Sequence, residues 1–189
     1  MRTIKFNVNN KIEINKSIFI TELLKINDIN NIPKLMANIK LKYKDASHYC
    51  YAYIIDDKKK SSDDNEPGGT AGVPIMDTLN KNNLNYVLCI VIRYFGGIKL
   101  GAGGLVRAYR KSVVDCLSKA EFTELIDGYE IIIETGYDKQ KELDFLLKEN
   151  YTKDYKENVI YKIECTRDLK EILENKYKII SIKEKVIEK

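Results

Sequence analysis

Residues 93–111, Arg-Tyr-Phe-Gly-Gly-Ile-Lys-Leu-Gly-Ala-Gly-Gly-Leu-Val-Arg-Ala-Tyr-Arg-Lys, hold five of the chain's ten glycines and five basic residues, without one carboxylate. They follow an apolar run, Tyr86-Val-Leu-Cys-Ile-Val-Ile92, and lead into a helical pattern. The fold must therefore turn from a buried strand into a helix inside a glycine loop. Gly96, Gly97, Gly101, Gly103 and Gly104 permit positive φ and close backbone approach, and Arg93, Lys99, Arg107, Arg110 and Lys111 supply charge. Free amides and the positive end of a helix dipole at such a turn favour an anion, phosphate above all. The nucleotide fingerprints are absent: Gly101-Ala-Gly103-Gly104 lacks the third glycine at the dinucleotide spacing, and no Gly-Lys-Ser/Thr follows. The plainer alternative is a tight strand-to-helix turn with ordinary surface cations.

With 189 residues and 44% hydrophobic content, the chain has room for one large or two small folded domains. Residues 1–126 carry 19 basic and 13 acidic side chains, whereas residues 127–189 carry 13 and 15. A net charge of +4 is modest, so any contact with a polyanion must come from a local patch. No apolar run approaches the roughly 18 residues that span a membrane, and Met1-Arg-Thr-Ile-Lys-Phe does not open a signal peptide; a cytoplasmic location without a membrane partner is expected. Cys50, Cys89, Cys116 and Cys165 lie far apart and form no Cys-x-x-Cys pair, which predicts buried thiols rather than disulfides or a zinc site; no metal and no cofactor are expected.

Alternation predicts extended structure at 11–15 and 17–24, and then a helix with Asn30 or Asn31 as cap, Pro33 in its first turn and an end near Tyr43. A strand covers His48–Ile55. Residues 56–72 carry too many charges, glycines and turn formers for regular structure and are expected to be a long surface loop, mobile over Asp57 to Gly69. A short helix at about 74–82, a buried strand at 86–94, the glycine loop and a helix at about 104–119 complete the first domain, 1–126. After a linker at Leu125–Tyr129, the order strand (129–135), helix (138–148), strand (151–156), strand (159–165), helix (168–175), strand (177–183) is βαββαβ. That order predicts a ferredoxin-like second domain, 127–189, and an α+β chain overall.

The one histidine lies in Ala46-Ser-His-Tyr-Cys-Tyr-Ala-Tyr53. Alternation puts His48, Cys50 and Ala52 on one face of the strand and Tyr49, Tyr51 and Tyr53 on the other. His48 with Asp63, Asp64 and Glu66, or with Cys50, is a candidate acid/base or nucleophilic set; the bland reading is core lining. The tyrosines are either a stacking platform for unpaired bases or a packed face.

Three stretches together carry a family resemblance: Ser62-Asp-Asp-Asn-Glu-Pro-Gly-Gly-Thr-Ala-Gly-Val-Pro-Ile75, the segment from Arg93 to Tyr109, and the stretch around His48. They resemble the IMPACT family, in its bacterial YigZ-type branch. The resemblance implies a first domain with the βαβ-type fold of the fourth domain of elongation factor G, and a second domain similar to that factor's fifth. It also implies work near the ribosome. Eukaryotic members, which restrain a nutrient-sensing translation kinase, carry an additional N-terminal partner-binding domain; no such domain is expected here, and the kinase role is not carried over. The leading expectation is a non-enzymatic protein associated with RNA or the ribosome, with a role in translation regulation and possible protein partners in the translation machinery. It would bind through Arg93, Gly96, Gly97, Lys99, Gly101, Gly103, Gly104, Arg107 and Arg110. The alternatives are an enzyme acting on a phosphate-bearing substrate at His48, Asp63, Asp64 and Glu66, and a protein-interaction module without nucleic acid.

Overall fold

The computed structural model describes residues 1–148 and 151–189. They form two compact units, Met1–Thr123 and Glu124–Lys189. In the first, β1 (Arg2–Ile4), β2 (Val8–Ile14), β3 (Ser17–Lys25), α1 (Ile32–Lys42), β4 (His48–Ile55), β5 (Lys58–Ser62), α2 (Gly72–Lys81), β6 (Val87–Tyr94) and α3 (Gly101–Leu117) follow in order. Five strands pair antiparallel in the order β2-β3-β6-β4-β5. Because β3 and β4 both run against β6, which lies between them, they are parallel to each other, and α1 connects them as a βαβ unit.

Strand alternation sorts the core into two layers. Phe19, Leu23, Cys50, Ala52, Ile54, Cys89 and Val91 meet Ile75 and Leu79 of α2 and Leu105, Tyr109 and Val113 of α3. On the other face Leu24, Tyr53, Ile55, Leu88, Ile90 and Ile92 pack with Ile32 and Ile39 of α1. A strand covered on both faces needs apolar residues at every position, which accounts for the unbroken run in β6. Tyr49 and Tyr51 join Tyr53 at the α1 layer, and the Tyr49 hydroxyl donates to the Tyr43 carbonyl, so these rings are packing rather than an open platform.

Several boundaries differ from the sequence reading. Residues 58–62, expected to be loop, pair with Tyr51–Ile55 as an edge strand. An exposed edge needs only backbone pairing, and its lysines discourage further strands from adding, so no apolar alternation marks it. Asn31 caps α1 without a side-chain bond; the Asp28 carboxylate instead accepts from Asn30 N at 2.8 Å, ahead of the short 3₁₀ turn Ile29–Asn31. α3 starts at Gly101, three residues earlier than its pattern suggests.

The second unit contains most of β7 (Phe122–Thr135), then α4 (Gln140–Leu147), β8 (Tyr151–Tyr155), β9 (Val159–Cys165), α5 (Arg167–Lys176) and β10 (Ile179–Glu188). Its strands lie antiparallel in the order β10-β7-β9-β8, the ferredoxin-like arrangement. Ile131, Ile133, Tyr161 and Ile163 form a core with Leu143, Leu147 and Leu173 of the two helices. The expected linker at 125–129 is strand: Leu125 to Gly128 pair with Glu188 to Lys185 of β10. Gly128 is there for closeness, not flexibility, since a Cβ would stand 2.5 Å from Ile187 and 2.8 Å from the Cys165 carbonyl.

The same test separates the glycines of the first unit. A Cβ on Gly96 would stand 2.0 Å from the Lys16 backbone, whereas one on Gly103 would meet only the Arg107 guanidinium at 3.5 Å. Gly96→Ala is expected to lower stability by about 1–3 kcal/mol or more through overpacking. Gly103→Ala, inside a helix turn, is expected to be neutral or to stabilise by up to about 1 kcal/mol. Urea unfolding midpoints check both.

Candidate functional site

Three strands bring Phe19, Arg93 and His48 side by side, because Phe19 of β3 and His48 of β4 both register with Arg93 of β6. The row lies one residue before the end of β6, which leads into the loop before α3. Arg93 is only 5% exposed. A buried guanidinium needs a counter-charge, and Glu66 supplies it: Arg93 Nη1 donates to Glu66 Oε1 at 2.7 Å. The Tyr109 hydroxyl of α3 donates to the same oxygen at 2.7 Å, and the Tyr109 ring meets Phe19 edge-on at 5.3 Å. Arg93 Nη2 reaches Ser17 Oγ at 3.4 Å, while Arg93 Nε has no hydrogen-bond partner among the described residues. The expected surface cation is thus an internal one, and Arg93 leaves the phosphate-binding set.

The loop before α2 is organised by its acids. Asp63 Oδ1 accepts from Ala71 N at 2.9 Å and Gly72 N at 2.7 Å, and Oδ2 accepts from Gly69 N at 2.8 Å. This carboxylate caps the start of α2 across eight or nine residues. Burial raises its proton affinity, but the amides of Gly69, Gly72 and Ala71 outweigh burial and hold its pKa below the usual carboxylate range. Asp64 Oδ2 accepts from Tyr49 N at 2.6 Å, and its carbonyl lies 2.8 Å from His48 Nδ1. A carbonyl can only accept, so Nδ1 carries the proton, and Nε2 faces Glu66 Oε1 at 3.8 Å. The structure brings His48, Asp63, Asp64 and Glu66 together, but commits all three carboxylates to holding the loop and the arginine.

Cys50 lies 2.9 Å from the Asp63 carbonyl and 3.3 Å from the Tyr109 hydroxyl. Burial, with Glu66, Asp64 and Asp63 nearby, pushes its thiol pKa up to about 12 against the opposing Tyr109 bond. At neutral pH it is a protonated thiol, not a nucleophile. Burial, with the neighbouring Cys50 and Glu66, also keeps the Tyr109 phenol well above its ordinary value.

Outside this interior lies the basic loop. Lys99, Arg107 and Arg110 are exposed, as are Gly97, Gly101 and Gly103, while Gly104 is half-buried. Gly97 has φ +84° and Gly101 φ +68°. α3 opens with no acid in its first turn and no side-chain cap at Leu100. Lys111, by contrast, is paired to Asp115 at 2.9 Å. Gly96 serves packing, pressed on Lys16 and Ser17. That contact adds a residue the sequence reading missed: Lys16, exposed in the two-residue turn Asn15–Lys16, where both φ values are positive. The turn was readable from alternation on either side of it; its proximity to Gly96 was not.

Two variants measure these roles. Arg93→Ala, which strands Glu66 inside the fold, is expected to cost about 3–5 kcal/mol, whereas Arg107→Ala should stay within about 0.5 kcal/mol. Asp63→Asn turns an amide donor toward an N–H that needs an acceptor, at an expected cost of about 1–2 kcal/mol near neutral pH. Because the folded pKa of Asp63 is depressed, its stabilisation is complete above roughly pH 4 and is lost as pH falls through the folded value. The gap between wild type and Asp63→Asn should close over that range in urea titrations.

The Impact N-terminal domain family model matches residues 15–117. The chain is 44% identical over 119 residues to the IMPACT family member YvyE of Bacillus subtilis (strain 168), covering 61% of this chain and 55% of the relative. It is 38% identical over 110 residues to the IMPACT family member YigZ of Escherichia coli (strain K12), covering 56% and 54%. These alignments span about half the length of the relatives. A solved structure described as the crystal structure of an hypothetical protein superposes with a TM-score of 0.66 at 26% identity, covering 96% of this chain and 97% of that one. The family match takes in the row Phe19–Arg93–His48, the acid-organised loop and the whole basic segment through α3, and on that match this chain belongs to the IMPACT family.

Proposed function

We propose that this chain is a non-enzymatic RNA- or ribosome-associated protein with a role in translation regulation, and that it engages its partner through the loop and helix start after β6. The observation that carries the reading is the exposed opening of α3, with no acid in its first turn, with Lys99 exposed just before it and Arg107 and Arg110 exposed on the helix itself. Helix-start amides and exposed cations on one surface attract phosphate. The exposed glycines Gly97, Gly101 and Gly103, with Gly104, let a phosphate reach the backbone. Membership in the IMPACT family supports a translation-related role in general. The enzyme reading gains less, because Asp63, Asp64 and Glu66 are already engaged and Cys50 is protonated at neutral pH.

Cosedimentation with ribosomes tests the proposal. Three phosphate contacts at about 0.7 each give a logarithmic salt slope of roughly −2, so raising salt fourfold from about 50 mM should weaken binding about 20-fold. Combining Lys99→Ala, Arg107→Ala and Arg110→Ala should abolish both the binding and its salt dependence while the chain stays folded. Binding that persists in the triple variant, or that ignores salt, would favour a protein-interaction module.

A further inference from the structure

Phe95, the first residue beyond β6, leaves 48% of its surface exposed. Its backbone is nonetheless pinned. Phe95 N donates to Ser47 Oγ at 3.1 Å, and Gly96 N donates to Ser17 Oγ at 3.2 Å. Behind the ring stands Arg93, its guanidinium carbon 5.5 Å from the Phe95 centroid and 5.5 Å from that of Phe19. Arg93 is 5% exposed and tied to Glu66, so this cation is a fixed backing. Next to Phe95 in sequence, Gly96 packs on the backbone of Lys16, and Lys99 follows four residues after the ring; both lysines are exposed. A half-exposed aromatic ring backed by a buried cation, in a loop segment that also carries exposed lysines, has the composition of a base-stacking platform.

We infer that Phe95 is a preorganised platform for an unpaired base of single-stranded RNA, with Lys16 and Lys99 on the flanking phosphates. The inference rests on the nucleic-acid reading above and narrows it. Bases in a duplex are already stacked and present no free face, whereas a single strand does. Two serine bonds and a buried ion pair hold the platform before the base arrives, so little ordering is needed on binding. Arg93 acts as a positioning residue, through Phe95.

The chain contains no tryptophan but 13 tyrosines, so Phe95→Trp installs the only indole, excited at longer wavelength than the phenols, at the platform. Titration with a single-stranded 12-nucleotide oligoadenylate and with a blunt RNA duplex of equal length distinguishes the ligands. Indole quenching is expected with the single strand and little with the duplex. Phe95→Ala and Phe95→Leu should each weaken single-strand binding about 5-fold to 150-fold with the salt slope unchanged, whereas Lys16→Ala should reduce the slope by about 0.7. Folded Phe95→Ala and Phe95→Leu variants that bind the single strand as wild type does would overturn the stacking inference and leave the basic surface standing. Quenching equal for duplex and single strand would also overturn it. Loss of ribosome binding in Phe95→Ala with unchanged binding to naked single strands would assign the ring to a ribosomal protein instead. No RNA binding by the wild type at about 50 mM salt would overturn both this inference and the nucleic-acid reading.

Discussion

The buried pair between Arg93 and Glu66 is the constraint on which the rest of the first unit depends. Arg93 comes from the central strand and Glu66 from the loop before α2, while Tyr109, on the same carboxylate oxygen, comes from α3. Ser17 of β3 takes the second guanidinium nitrogen. One oxygen and one guanidinium thus tie together two strands, a loop and a helix. Neither charge can be left alone, because an unpaired charge in the interior costs several kcal/mol. The pair holds the end of the sheet in one arrangement, and the two glycine-containing loops leave from that arrangement.

Those loops have opposite character. Before α2, Asp63 supplies the negative charge that a helix start attracts, and three amides are satisfied inside the chain. Before α3 no side chain does this; Lys99 precedes the opening and Arg107 and Arg110 lie exposed further along the helix. The first loop is closed on itself; the second leaves its helix start uncapped and exposed. Phe95 lies where the open loop meets the closed interior, with Arg93 behind it. This arrangement explains how one segment of sequence serves both ends: Arg93 and Tyr109 face inward by strand and helix periodicity, while Lys99, Arg107 and Arg110 face outward.

Periodicity made the architecture legible. The unbroken apolar run of β6, the stripe of α1 and the βαββαβ order all appear in the fold much as the side-chain pattern implies. Features without a side-chain pattern were hidden. β5 pairs through its backbone without an apolar alternation to mark it, and Gly128 looks like a linker residue until Ile187 and Cys165 are seen against it. At the site, the composition of residues 93–111 marked a basic surface, but charge alone could not show that Arg93 points inward. Alternation sets Arg93 on the face of Cys89 and Val91, and the register with Phe19 and His48, with the arrival of Glu66 from 27 residues away, closes the core over it. Lys16, Ser17 and Ser47 were invisible for the same reason, since long-range packing has no local signature.

The central claim is a division of labour: the interior network holds the frame and the open loop meets the partner. Amide hydrogen exchange of the full chain, with and without ribosomes at low salt, tests both halves at once. The account predicts slowed exchange on binding at residues 97–104 and at Asn15–Lys16, with no change at the Gly69, Ala71 and Gly72 amides that Asp63 already holds. Protection confined to residues 63–72, with 97–104 unaffected, would contradict it.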